Sequence, residues 1–498
     1  MCRVVHAEMS LSRFRAGRDA AHRAVRIQVT RVLEHSSTKR LRVSVIGDFE
    51  SGKSTLVGVL TRGCLDDGVG LARMQVCRHR HELENGCTSS VSEHTIAVAA
   101  DGHFRCTDEQ DTCDFGDSEE EDAEERQEPR RHESFITLSD LAGHKKYLKS
   151  TASGLAGQFP DYAMLLVDAV RGVRDMTREH LKIATALEVA IFVVITKTDR
   201  ATDERIRQSL AEVADLLKAF CPLQRVVLAP KSTDTVGDKE HLLKLTTAST
   251  VPVFQVSSVD GSGLDVLQGY LAVLEPRRVW AAKAQTLAEF QVGQAYDIED
   301  AGTVVTGLVQ AGTFCVGERM LLGPDAQGQF CGVAVESIEV QHKAAQSLSA
   351  GETGAVLVRF LSAAQPAHRI RKGTMLVHPS VRPMATRQFD AEMHFLPDAR
   401  TFRENFQAVI HTGQVRQMAK IVRLGDPAGS ATTASAPSSS NLPAATTLCR
   451  FEFMYWPEYL RPDLPLVLRE GSAQAVGRVV RTLPYFHKDQ RVTRVPSC

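Results

Sequence analysis

The chain has 498 residues, 43% hydrophobic and 24% charged, with 59 Lys+Arg against 60 Asp+Glu. That balance excludes wholesale disorder, collagen-like and fibrous classes, and the length suggests about three domains. Apolar runs such as residues 189–195 fall far short of the ~20 residues that span a bilayer, and no apolar stretch of signal-peptide length follows Met1, so no membrane partner is expected. The eleven cysteines include no C-x-x-C pair. They fit reduced thiols in a reducing, cytoplasmic compartment better than a disulfide framework or a zinc ribbon.

Residues 1–39 are Arg-rich, lack strong periodicity and read as an N-terminal extension, with an organelle transit segment as the alternative. A strand pattern at 40–46 runs into a Gly-containing turn and then a helical pattern from residue 55 to 60. Residues 101–133 read as a disordered acidic insert. Within them, residues 108–133 hold thirteen acidic and three basic residues, a balance of −10 that leaves the other 472 at +9 against −1 for the chain. A mildly basic body admits a polyanionic partner without requiring one.

Strands are then expected at 134–138, 162–168, 189–196 and 251–256, and helices at 176–187, 204–220 and 263–274. This alternation means βαβ units and a mainly parallel sheet. Beyond residue 274 the texture changes to short Val-rich runs separated by Gly302, Gly307, Gly312, Gly317, Gly323 and Gly328, with a hairpin signal at 323–328. That is the pattern of a small antiparallel barrel. A second all-β stretch follows, interrupted by a Ser/Thr/Ala/Pro loop at about 429–447.

Gly47-Asp48-Phe49-Glu50-Ser51-Gly52-Lys53-Ser54 matches G-x-x-x-x-G-K-[ST] between a strand and a helix, with Thr55 next in the helix. Main-chain N–H groups of such a loop wrap a polyphosphate, Lys53 would bridge the β- and γ-phosphates, and Ser54 would ligate Mg²⁺. Thr196-Lys197-Thr198-Asp199 ends a strand, where the Asp199 carboxylate can accept from guanine N1–H and the 2-amino group. Adenine lacks both donors. The Lys197 stem can cover the base, while Thr196, shorter than the usual Asn, leaves the loop less tightly buttressed. Ser257-Ser258 fits the position whose backbone meets guanine O6.

Asp140-Leu141-Ala142-Gly143-His144 follows the strand at 134–138. Asp140 would reach the Mg²⁺ shell through water, the Gly143 N–H would sense the γ-phosphate, and His144 would position the attacking water. A switch threonine should ligate Mg²⁺ only when the γ-phosphate is present. Thr88 is the choice, with Ser89, Ser90 and Thr95 left open by pattern alone. Cys77, His79, His81 and Cys87 suggest zinc, but their alternate spacing does not suit chelation from one helical face, and an exposed basic switch segment is the preferred reading.

Residues 47–92, DLAGHKKYLKST at 140–151, TKTD at 196–199, GTVVTG at 302–307, FQAVIHTGQVRQMAKI at 406–421 and RPDLPLVLREGSAQAVGRV at 461–479 together carry a resemblance. The chain resembles the GTP-binding protein 1 / GTP-binding protein 2 family of translational GTPases, in the elongation factor Tu / elongation factor 1-alpha class. The resemblance implies an α/β P-loop GTPase domain at 40–279, β-barrels at 280–382 and 383–485, and a tail at 486–498. It implies a monomeric, Mg²⁺-dependent enzyme that hydrolyses GTP to GDP as a switch in translation elongation, tRNA delivery on the ribosome or RNA surveillance. The alternatives are an RNA-binding adaptor that recruits mRNA-decay machinery with GTP as a conformational ligand, and a metabolic GTPase subunit.

By carry-over, Lys53, Ser54, Thr88, Asp140 and His144 hold the family roles, and Phe49 and Cys87 form an apolar gate beside His144. Glu50 departs from the usual Asp, which puts any monovalent-cation role in doubt. In the second barrel, Arg416, Lys420, Arg478 and Arg481 are candidate RNA phosphate contacts, an ordinary solvated surface being the equal alternative.

Overall fold

A computed structural model describes residues 8–10, 26–28, 39–77, 79, 81–82, 86, 88–99, 104–106, 134–230, 238–247, 249–278, 280–298, 302–340, 343–362, 370–395, 402–425, 447–470 and 473–485. Most of the N-terminal extension and of the acidic insert, the loop at 429–446, the tail and Cys87 therefore lie outside the described residues. β1 (Glu8–Ser10) and β2 (Arg26–Gln28) pair antiparallel.

β3 (Lys39–Gly47) is central to an eight-stranded sheet with β4 (Ser92–Val98), β5 (Phe104–Cys106), β6 (Ser134–Asp140), β7 (Tyr162–Asp168), β8 (Ala190–Thr196), β9 (Arg225–Leu228) and β10 (Thr250–Gln255). The order is β5-β4-β6-β3-β7-β8-β10-β9, parallel except for the antiparallel β5–β4 and β4–β6 pairs. Around it lie α1 (Lys53–Arg62), α2 (Leu71–Met74), α3 (Leu148–Gly157), α4 (Asp175–Ala186), α5 (Asp203–Phe220), α6 (Asp238–Leu245) and α7 (Leu264–Val273). Alternation along β3 sends Val43 and Val45 to the layer holding Leu56, Leu60 and Leu267, and Ile46 to the opposite layer with Leu155, Leu181 and Val213. β7 is buried along its whole length, as a strand covered by helices on both faces must be.

The sequence reading of the insert is corrected at its start. Phe104–Cys106 is an edge strand paired with β4, because Phe104 packs against the core. The reading also lacked β4, α3, β9 and α6.

α8 (Trp280–Lys283) leads into β11 (Glu289–Ile298), β12 (Gly302–Ala311), β13 (Thr313–Cys315), β14 (Arg319–Gly323), β15 (Cys331–Val340), β16 (Lys343–Ala345), β17 (Ser347–Ser349), β18 (Thr353–Phe360) and β19 (Met375–Val377). Six of these close a ring, β14-β19-β11-β12-β18-β15, sealed by the β14–β15 hairpin. β20 (Thr386–Phe395), β21 (Gln407–Thr412), β22 (Val415–Leu424), β23 (Thr447–Phe453), β24 (Pro465–Glu470) and β25 (Ala473–Pro484) close a second six-stranded barrel. The fold is thus a P-loop α/β domain followed by two antiparallel barrels. Among the described residues, no helix is long and apolar enough to cross a membrane.

Polar side chains join the three bodies. Asp161, buried after α3, accepts from the backbone N–H of Arg42 at 2.9 Å, Arg277 at 3.0 Å and Arg278 at 2.9 Å, tying the segment that leads to the first barrel back to β3. Arg42 donates to the Gln158 carbonyl at 2.9 Å, to Glu93 at 2.7 Å and to Thr353 of the first barrel at 3.2 Å. Gln414 of the second barrel donates to the Gly157 carbonyl at 3.0 Å, while Gln291 of the first accepts from Gln310 at 2.6 Å and from the Gln414 backbone at 3.3 Å. The two barrels are joined by Arg371 and the buried Glu458 at 2.8 Å.

Asp161→Ala deprives three backbone donors of their acceptor and should lower stability by about 2–4 kcal/mol in equilibrium unfolding. Asp161→Asn, which keeps a carbonyl acceptor, should recover part of that loss.

Candidate nucleotide-binding site

The sheet order reverses at β3, whose neighbours β6 and β7 continue the chain on opposite sides. A crevice opens at such a point beyond the C-terminal strand ends, and the loop 47–52 lies there. The loop enters α1 through Gly52 at φ +82°, and Glu50 is also left-handed at φ +60°. A β-carbon on Gly47 would lie 2.5 Å from the Leu166 carbonyl, so the first position of the loop excludes a side chain.

The loop is held from outside. His180 on α4 accepts from the Gly47 N–H at 3.0 Å, and burial pushes its imidazole down to about 3, so the ring is neutral and Nδ1 is free to accept. Thr196 donates its hydroxyl to the Ser51 carbonyl at 2.8 Å. The shorter side chain therefore does reach the phosphate loop. Lys197, left-handed at φ +59°, donates to the Glu50 carbonyl at 2.6 Å and pairs with Asp168 at 2.9 Å. Burial would raise the Asp168 carboxyl, but Lys197 and the Val170 and Arg171 N–H groups hold it below the usual range. The Glu50 carboxylate turns outward to Arg171.

Beneath the loop, the Ser54 hydroxyl lies 2.5 Å from Asp140 Oδ2 and 2.8 Å from Thr88 Oγ1. Burial pushes the Asp140 carboxyl up to about 6 against the pull of Ser54 and Lys53. Among the described residues its Oδ1 is buried with no hydrogen-bond partner. Two hydroxyls and a carboxylate with an unused oxygen form the hard-oxygen donor set that Mg²⁺ takes. Lys53 donates to the Asp48 carbonyl at 2.7 Å. Gly143 lies so close that a β-carbon there would be 2.3 Å from the Lys53 ammonium.

Thr88 is set in place by Glu82, a buried carboxylate that accepts from the Ser89 N–H at 2.7 Å, the Ser89 hydroxyl at 2.8 Å and the Ser90 N–H at 3.3 Å. Of the alternatives, the Ser89 hydroxyl is thus turned to Glu82, the Ser90 backbone is held by the same carboxylate, and Thr95 lies on β4 facing Thr137 at 3.3 Å. His79 and His81 stack at 5.3 Å, and His81 meets the Ser89 hydroxyl. No group of three or more metal-capable side chains is found among the described residues.

His144 caps the turn at Lys145–Tyr147, its Nδ1 accepting from the Lys146 N–H at 3.1 Å. A neutral ring accepting at Nδ1 carries its proton on Nε2. The Phe49 ring meets it edge-on at 5.7 Å. A cavity of about 220 Å³ gathers Phe49, Glu50, Gly52, Lys53, Ser54, Thr55, Thr88, Gly143, His144, Thr196, Lys197, Asp199 and Ser258. Gly47, Asp48, Ser51, Asp140 and Ser257 are not in its lining. Ser257 is buried, accepting from the Val259 and Asp260 N–H groups at 3.2 Å and so shaping the loop that carries Ser258.

Sequence reasoning missed His180, Glu82, Asp66 and Arg73. The first two act through α4 and a switch loop whose packing leaves no spacing signature. Asp66 accepts from the Ala72 N–H at 3.0 Å, and its own N–H donates to the Ser258 carbonyl at 2.8 Å, so the α1–α2 connection borders the guanine loop. On the second barrel, Lys420 faces Glu452 at 3.5 Å, Arg481 pairs with Asp390 at 2.6 Å and Arg478 with Glu188.

Residues 38–295 match the elongation factor Tu GTP-binding domain model. The chain is 35% identical to GTP-binding protein 1 of Xenopus laevis over 450 residues, 89% of this chain and 63% of that protein. It is 33% identical to GTP-binding protein 2 of Mus musculus over 464 residues, 93% and 72% respectively. It therefore spans just under two thirds of the frog relative. Among solved structures, the Ski7 GTPase-like domain of S. cerevisiae bound to GTP superposes with TM-score 0.64 at 15% identity, covering 89% of this chain and 98% of that one. Translation elongation factor SelB of Methanococcus maripaludis, in complex with a GTP analogue, superposes at 0.61 and 18% identity, covering 90% and 80%. The chain belongs to the GTP-binding protein 1 / GTP-binding protein 2 family of translational GTPases.

Proposed function

We propose that the chain binds GTP with Mg²⁺ and hydrolyses it to GDP and phosphate as a conformational switch. The observation that carries the reading is the Ser54 hydroxyl lying 2.5 Å from Asp140 and 2.8 Å from the Thr88 hydroxyl, in the corner of the crevice that also holds Lys53. Gly47 to Thr55 take the phosphates, with Lys53 on the β- and γ-oxygens. Ser54 and Thr88 would ligate the ion, with Asp140 reaching it through water. Bound there, Mg²⁺ neutralises charge on the phosphate oxygens.

Asp199 and the main chain at Ser257 and Ser258 read guanine, while Lys197 covers the base and Thr196 braces the phosphate loop. Gly143 donates its N–H to the γ-phosphate. The Nε2–H tautomer of His144 suits donation to the attacking water or the γ-phosphate, with Phe49 limiting its approach. GTP holds Thr88 and Gly143 inward, and loss of the γ-phosphate releases them.

The kinship with elongation factors supports a role in translation or RNA surveillance. The partners proposed are the ribosome and tRNA or another RNA, in the cytoplasm, with His144 aligned by the ribosome. Intrinsic turnover should then be slow.

Calorimetry should show GTP bound at least about a thousandfold more tightly than ATP, because adenine leaves Asp199 unsatisfied. Equal affinity, or none for either nucleotide, would overturn the reading. Thr196→Val keeps shape but loses the hydroxyl on Ser51, and GTP affinity should fall roughly tenfold by the same measurement. His144→Ala should hold GTP affinity within about twofold while ribosome-stimulated turnover drops about a hundredfold or more. Undiminished stimulation would remove His144 from the mechanism.

A further inference from the structure

Arg73 stands in the last turn of α2 and lines the nucleotide cavity. Its stem is fixed. The neighbouring Ala72 main chain rests directly on α1, where a β-carbon on Gly58 would lie 2.1 Å from the Ala72 carbonyl, and the Ala72 N–H is held by Asp66. The guanidinium reaches from there to the switch loop. A β-carbon on Gly86 would lie 2.7 Å from its Nη1, and one on Gly70 would lie 3.5 Å from its Nη2. Both glycines are left-handed, at φ +67° and +111°, so the chain bends around the cation on two sides.

Arg73 Nε is buried with no hydrogen-bond partner among the described residues. Burying a guanidinium donor without an acceptor is costly, and such a group in a ligand cavity awaits an anionic partner. Its position narrows the choice. Gly86 precedes by two residues the Thr88 that meets Ser54, and the connection leading to Gly70 borders Ser258 through Asp66. The guanidinium thus sits between the metal corner and the base loop, alongside the stretch that the α- and β-phosphates must cross. Lys197, another cation of the cavity wall, is already engaged with Asp168 and the Glu50 carbonyl.

We propose that Arg73 is a phosphate-binding residue supplied by the chain itself. Its guanidinium hydrogen-bonds the α/β-phosphate oxygens of the bound nucleotide and, through its contact with Gly86, ties that grip to the switch loop carrying Thr88. A planar fork suits two phosphate oxygens at once, which an ammonium does not. The inference rests on the nucleotide reading above, and the test separates the two.

Competition against a fluorescent GDP analogue, with Mg²⁺ present, is measured for guanosine, GDP and GTP on the full chain, on Arg73→Ala and on Arg73→Lys. In Arg73→Ala, affinity for GDP and GTP should fall about tenfold or more while guanosine is unchanged. Arg73→Lys should lie between, since charge is kept but the fork is lost. Equal loss for guanosine and the phosphorylated ligands would make Arg73 a structural residue and overturn the proposal, as would undiminished GDP and GTP binding. An unaltered chain that binds none of the three would refute the nucleotide reading itself. Nucleotide-free thermal unfolding within a few degrees of the unaltered chain, together with retained guanosine binding, identifies the variants as folded.

Discussion

A loop bent through left-handed residues needs more than its own few contacts to hold its shape. Glu50 and Gly52 both sit in the left-handed region, and for Glu50 that conformation costs energy that must be recovered elsewhere. Three neighbours supply the restraint: His180 on the Gly47 amide, Thr196 on the Ser51 carbonyl and Lys197 on the Glu50 carbonyl. They come from α4, the end of β8 and the turn after it. This is why the site needs β3 in mid-sheet with parallel neighbours, since only there do several strand ends converge on one loop. The sheet serves as the clamp for a strained ring of amides.

Burial adds the electrostatic half. Asp140, raised to about 6 where it lies, has one oxygen that the described residues leave without a hydrogen bond. Low-polarity surroundings make each charge interaction stronger, which gives a cation and a polyphosphate their hold and makes their loss felt. The same logic explains why Lys197 bridges Asp168 and a carbonyl: a half-buried ammonium at a loop tip is kept by two anchors on different elements. His180, pushed down to about 3, works in the opposite sense, remaining neutral so that its nitrogen can accept from Gly47.

Much of this arrangement was legible in the residues. The G-x-x-x-x-G-K-S string, the turn after 134–138 and the TKTD turn each follow an apolar strand, and apolar strands in βαβ succession are the strongest pattern a sequence offers. The β14–β15 hairpin was legible from its glycines. What escaped has common causes. α3 is rich in Ala, Ser and Gly, with little periodicity to see, and β9 has only four residues. Phe104–Cys106 has only three residues and was absorbed into the acidic stretch that follows it. Glu82 and His180 work through packing that brings distant segments together, which spacing does not encode. The doubt over Thr196 arose from side-chain length, but the closeness of β8 to the loop makes the shorter reach sufficient.

Arg42 has a consequence for how the molecule changes shape. Its one buried guanidinium is shared by Gln158 at the end of α3, Glu93 on the strand following Thr88, and Thr353 on the first barrel. A rigid planar group keeps acceptors on three separate elements satisfied only within a narrow range of positions, and leaving that range underbonds a buried cation. Displacing the strand against the barrel therefore costs hydrogen bonds of a buried cation, which makes Arg42 a brake on that movement.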